Sequence, residues 1–199
     1  AGYTGIALGP VGFMPEDPVH VSDAFAENGL EMIGGVVFRA FHDPAQWDDV
    51  LDGSKRTCEA LVAHGAQHLV LIDSISPRRA PTAGRALEAK QMDAAEWAAY
   101  VTRFREICKM GVDHGLTVGI HAHAAGFMDF EPELERLLGE IPEDLLQICF
   151  DTGHHSYAGF DPIAFMEKWI SRISYLHFKD IDPKVKADVI AKRTGFYDA

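Results

Sequence analysis

Six short apolar runs punctuate the chain, at residues 5–8, 32–38, 67–72, 116–120, 146–150 and 173–178. Runs this short and this continuous predict strands covered on both faces. The segments between them, at 19–28, 44–63, 94–114, 131–138 and 162–169, repeat their apolar positions every three to four residues and predict helices. The punctuation agrees. Asn28-Gly29-Leu30, His64-Gly65-Ala66 and His114-Gly115-Leu116 place a glycine just past a helix and lead into the next strand. Asp17-Pro18, Asp43-Pro44, Glu131-Pro132 and Asp161-Pro162 put an acid at or beside the N-cap and proline in the first turn.

Strand and helix alternating in this way predict an α/β fold with a parallel sheet, either doubly wound or a (β/α)8 TIM barrel. The turn after the first strand, Gly9-Pro10-Val11-Gly12, lacks the GxGxxG spacing of a dinucleotide fold, which favours the barrel. A complete barrel has eight strands in about 250 residues, whereas this chain supplies six runs in 199 residues. The expectation is one domain over residues 1–199: an incomplete TIM barrel of six βα units, strands two to seven, lacking a unit at each end. Residues 183–199 read as a polar, partly helical stretch with no strand after it.

Composition narrows the classes of function. A hydrophobic content of 47% supports one substantial core, and a net charge of -12 with only 18 Lys and Arg excludes a basic nucleic-acid-binding surface. No apolar run approaches the roughly 18 residues a membrane span needs, and Ala1-Gly2-Tyr3-Thr4 lacks the basic and apolar regions of a signal peptide. Three widely spaced cysteines, Cys58, Cys108 and Cys149, form no CxxC motif and read as inert core thiols of a reducing compartment. A cytoplasmic enzyme with neither nucleic acid nor membrane as partner is expected.

Chemistry crowds at the ends of the last strands. His121-Ala122-His123 places two imidazoles on one face, since residues i and i+2 of a strand point the same way; alone, such a pair equally fits two histidines hydrogen-bonded in a loop. Asp151, ahead of Thr152-Gly153-His154, ends a buried strand, where a carboxylate is costly unless paired or metal-bound; a helix N-cap is the competing reading. In His177-Phe178-Lys179-Asp180, His177 and Lys179 share a face, and a surface ion pair is the alternative. One nitrogen from the His121/His123 strand, an oxygen from Asp151 and a nitrogen from His177 make a mixed set suited to Mn2+, Co2+, Zn2+ or Fe2+ rather than Mg2+ or Ca2+.

These motifs, HxH, then FDTGH followed by YAGFDP, then RISYLHFKDID, resemble the xylose isomerase-like sugar phosphate isomerase/epimerase superfamily, and within it the inosose dehydratases. Residues 2–10 (GYTGIALGP) are similar to that family's second strand and residues 79–85 (RAPTAGR) to its loop after strand four. The resemblance implies a TIM barrel holding a divalent cation, Mn2+ or Co2+ ahead of Zn2+ or Fe2+, near the barrel axis. Carried over residue by residue, it implies His123, Asp151 and His177 as ligands, with His121 one layer deeper and a fourth ligand, a glutamate on strand eight, without a counterpart after Asp180. It further implies a metal-dependent lyase that dehydrates a keto-inositol through an enediolate. A sugar isomerase/epimerase, or a non-catalytic sugar-binding barrel, is the alternative. His154 and Lys179 become candidates for acid–base work or for binding substrate hydroxyls, Asp180 for orienting Lys179, His121 for a catalytic role, and Arg85 for reaching the substrate from its loop. The partner expected is a small sugar or cyclitol; a homo-oligomer is left open. Two departures, HAHAAG at 121–126 where the dehydratases read HPHAGT and Ala7 where Glu is common, leave the exact substrate open.

Overall fold

The computed structural model describes residues 2–14 and 17–196. Six strands, β1 (Gly5–Ala7), β2 (Glu31–Arg39), β3 (His68–Asp73), β4 (Thr117–Ile120), β5 (Gln147–Asp151) and β6 (Ile173–His177), form one parallel sheet in chain order. Helices α1 (Pro18–Glu27), α2 (Trp47–Ala63), α3 (Ala94–Asp113), α4 (Glu131–Glu140), α5 (Thr152–Ala158), α6 (Pro162–Trp169) and α7 (Pro183–Lys192) fill the connections. Among the described residues β1 and β6 are the two edges of the sheet, so the fold is an open, incomplete TIM barrel. No described helix is long and apolar enough to cross a membrane.

Of the predicted acids, Asp17, Asp43 and Asp161 cap, whereas Glu131 falls in the first turn of α4 behind the N-cap residue Phe130, which makes no side-chain cap bond; Asp93 and Asp182 are further caps. Asp93 Oδ1 accepts the Ala95 and Glu96 N–H groups while Glu96 returns a bond to the Asp93 N–H, closing a capping box at the start of α3. Asp17, Asp161 and Asp182 cap α1, α6 and α7 with proline in the first turn. The predicted helix at 44–63 divides into a 3-10 turn, Pro44–Gln46, and α2, because Asp43 caps the turn ahead of the helix proper.

Strand alternation sorts the core into two sides. Leu69, Leu71, Val118, Ile120, Ile148 and Phe150 face the helices and join Leu61, Tyr100, Phe104 and Ile107 in the main cluster. Each such side chain contributes roughly 1.5–3 kcal/mol on burial. Val36, Phe38, Val70, Ile72, Cys149 and Tyr175 pack on the opposite, inner side. Following that period one step beyond Gly119, Cys149 and Tyr175 brings His121, Asp151 and His177 onto the inner side at the C-terminal strand ends. The register pairs Asp151 directly with His177.

The loop after β3 is tied to α4 beneath the site. Arg79, 1% exposed, makes a bidentate ion pair with Glu133 (2.6 and 3.0 Å) and lies over the rings of Phe127 and Phe130. Glu133 Oε2 also accepts the N–H groups of Asp129 and Phe130. Asp73, at the end of β3, accepts from the His42 backbone and Phe127 N–H groups and bonds His42 Nδ1 at 2.8 Å. Together these bonds fix the loop that carries His121 and His123.

Candidate active site

Asp151 is the centre of the site. Its side chain is fully covered, yet His121 Nε2 lies 3.1 Å, His177 Nδ1 3.6 Å and Lys179 Nζ 2.5 Å from its Oδ2, while Oδ1 accepts the His154 N–H at 2.9 Å. Both sequence readings of Asp151 therefore hold at once: Oδ1 caps α5 and Oδ2 faces the cluster. Burial alone would raise its pKa, but the bonds from His121, His177, Lys179 and the His154 backbone outweigh it and hold the carboxyl well below the ordinary range.

The rest of Asp151-Thr152-Gly153-His154 places Lys179. Thr152 Oγ1 donates to the Lys179 carbonyl (2.6 Å) and accepts from its N–H (2.9 Å). A Cβ at Gly153 would stand 2.5 Å from Lys179 Cβ, so only glycine lets the lysine stem pass to Asp151. Neither residue is among the predicted candidates, because their contacts reach across the sheet to β6 and leave no local pattern.

His123 and His154 sit beside this centre with ring centroids 4.1 Å apart. His123 Nδ1 bonds the Ala124 carbonyl at 2.9 Å, so it carries the proton there and keeps a free lone pair on Nε2. The Ala124 N–H donates to His154 Nδ1 at 3.2 Å, so His154 carries its proton on Nε2. The backbone N–H and carbonyl of one residue, Ala124, thus set the two imidazoles in opposite tautomers, an acceptor and a donor. Burial pushes the pKa of His123 down to about 4 and of His154 down to about 2, and that of buried His121 also falls, so all three rings are neutral at pH 7.

The structure distributes the other candidates unevenly. His121, expected one layer deeper, is the imidazole that reaches Asp151, whereas His123, expected as a metal ligand beside Asp151, bonds the Ala124 carbonyl, because the two lie on successive layers of the strand exit. One ligand atom each from His121, Asp151 and His154 falls within 4.8 Å of the others. Asp180 is exposed and its Oδ1 accepts the Ile181 N–H; no bond joins it to Lys179 among those described. Arg85, whose side chain is 8% exposed, donates to the Pro81 carbonyl, pairs with Glu88 at 3.5 Å and keeps a covered Nη1 without a hydrogen-bond partner among the described residues. His155 is buried against Phe150, Phe160 and Phe165, 3.3 Å from Glu131. Ala125, where the dehydratases read glycine, stands at φ 69°, a left-handed conformation that glycine adopts at no steric cost.

Polar side chains gathered at the C-terminal ends of parallel strands define a β/α-barrel protein with its site at the usual face of that architecture. More particularly, the chain belongs to the xylose isomerase-like TIM barrel family, which matches residues 1–196. It is 28% identical over its whole length to an inosose dehydratase of Erwinia tasmaniensis, and it spans 66% of that protein. The fold matches the probable 3-DHS dehydratase AsbF of Bacillus anthracis with a TM-score of 0.74 at 20% identity, covering 94% of this chain and 67% of that one. It also matches the zinc-bound IolI protein with a TM-score of 0.72 at 12% identity, covering 91% and 64%.

Proposed function

We propose that the protein is a divalent-metal-dependent lyase that dehydrates a keto-inositol through an enediolate. The observation that carries this reading is the convergence of His121, His177 and Lys179 on the buried Asp151 carboxylate, beside two imidazoles of opposite tautomer. The named activity of relatives such as the Erwinia tasmaniensis dehydratase supports the choice of reaction. Two imidazoles and a carboxylate are a borderline donor set of the kind Mn2+, Co2+, Zn2+ and Fe2+ take, with Mn2+ or Co2+ preferred here. The Lys179 ammonium on Asp151 Oδ2 marks the same point as one that attracts a cation. His121, Asp151 and His177 would hold the ion; His154 stays outside the set because its Nδ1 lone pair already accepts the Ala124 N–H. Such an ion supplies Lewis-acid stabilisation of negative charge developing on a substrate oxygen.

The chain's own groups divide the proton work. The free Nε2 lone pair of His123 accepts the proton from the carbon next to the ketone, and the C–H electron pair becomes that of the enediolate. The Lys179 ammonium gives a proton to the β-hydroxyl as its C–O bond breaks, so one water leaves and a conjugated product remains. His154 Nε2–H donates to a substrate hydroxyl and Arg85 holds another. The test is incubation of the full-length protein with a keto-inositol and Mn2+ or Co2+. The expected result is metal-dependent ultraviolet absorbance from a conjugated dione. A product of unchanged mass would overturn dehydration in favour of epimerisation.

A further inference from the structure

Residues 183–196 lie against the site. The Phe196 ring centroid is 5.8 Å from that of His123, 5.7 Å from His154 and 5.3 Å from Tyr157. Helix α7 follows the strand exit that bears His177 and Lys179, and Phe196 lies beyond the helix end at Lys192. Val189 is the one residue that α7 buries among the described residues. Val189 packs with Ala83, Ala124, Ala125 and Tyr157, Lys186 Nζ donates to the Ser156 carbonyl at 2.5 Å, and Arg193 pairs with Glu88.

The polar groups near Tyr157, whose ring Phe196 meets, are unfinished. The Tyr157 hydroxyl on α5, Arg85 Nη1 in the loop after β3 and Asp129 Oδ1 in the loop after β4 are covered polar atoms with no hydrogen-bond partner among the described residues, and the Tyr157 ring rests against Gly84 next to Arg85. Covered polar atoms left unpaired are costly, and ligand hydroxyls are the partners they lack. Glu88 links the two parts, since it pairs with Arg193 of residues 183–196 and with Arg85. Opening the segment therefore changes what holds Arg85.

We propose that residues 183–196 form a lid over the site, and that Phe196 is its closing, specificity-determining residue. Closed, the ring shields His123 and His154 from solvent and offers an apolar face to the C–H groups of a cyclic polyol, whose hydroxyls complete Arg85, Tyr157 and Asp129. The ligand class rests on the dehydratase reading above, whereas the lid does not.

Diethylpyrocarbonate, which modifies neutral histidine, tests the lid without any substrate. Rates at His123 and His154, mapped by peptide mass and referred to exposed His114, rise about tenfold in Phe196→Ala, the loss expected from removing aromatic contacts of this kind. Arg193→Ala touches neither histidine and retains the ring, yet also raises both rates by loosening the anchor. Unchanged rates in Arg193→Ala together with unchanged rates in Phe196→Ala overturn the lid, whatever the protein's activity. The ligand class is read separately by hydrogen exchange: a keto-inositol slows exchange across 183–196 in the wild type and not in Phe196→Ala. No slowing in the wild type overturns the proposed ligand class while the modification rates still decide the lid.

Discussion

Replacing Arg79 by Met tests whether the loop after β3 is fixed to the site loop in the way the structure shows. The guanidinium is 1% exposed, pairs twice with Glu133, donates to the Lys90 carbonyl at 3.3 Å and lies between two phenyl rings. Met retains most of the stem's packing but leaves the Glu133 carboxylate buried without its cation. Breaking a buried pair on one side costs about 3–5 kcal/mol. For a chain of this size that lowers the melting temperature by roughly 10 °C. Glu133→Gln on the Arg79→Met background removes the stranded charge while keeping an acceptor for the Asp129 and Phe130 N–H groups. The double variant therefore recovers part of the loss, to be read from urea unfolding midpoints of the wild type and the two variants. A single variant within about 1 kcal/mol of wild type, or a double variant less stable than the single, would refute the reasoning.

Two further outcomes follow from the same geometry. Burial raises the Asp129 pKa to about 7, so the folded state favours the neutral acid and loses stability as pH climbs from 4 through 7. Asp129→Asn keeps an acceptor for the Ala125 N–H, so its unfolding midpoint exceeds that of wild type at pH 8, by up to about 4 kcal/mol in stability, and the advantage disappears by pH 4; parallel pH curves would contradict the burial argument. Lys179→Met removes the cation that competes for Asp151 Oδ2, so Mn2+ binds severalfold more tightly in calorimetry while turnover is lost. Weaker binding in that variant would show that the lysine does not compete with the ion.

Much of the architecture was legible because local pattern and global fold agree. All six strands lie where apolar runs place them, to within one or two residues at each end, and Asp17, Asp43 and Asp161 cap where their Asp-Pro pairs predict. Helix α5 was not legible, because Thr152-Gly153-His154-His155 carries no helical apolar period and its cap, Asp151, is also the last residue of a buried strand. The motif residues at the strand ends stood out since charge there is costly. What sequence could not apportion was role: His121 and His123 share a face, and only the layer order of the inner side and the Ala124 carbonyl distinguish the one that meets Asp151 from the one that keeps a free lone pair. Thr152, Gly153 and Phe196 act through contacts with distant segments, which leave no trace in spacing.

The most direct test of the account is the metal content of the full-length protein, expressed in Mn2+- and Co2+-supplemented medium and purified without chelator, measured by mass spectrometry beside Asp151→Asn. The account predicts about one divalent transition metal per wild-type chain and almost none in the variant, since Asp151 is the carboxylate on which His121 and His177 converge. Metal absent from both, or equal in both, would contradict it.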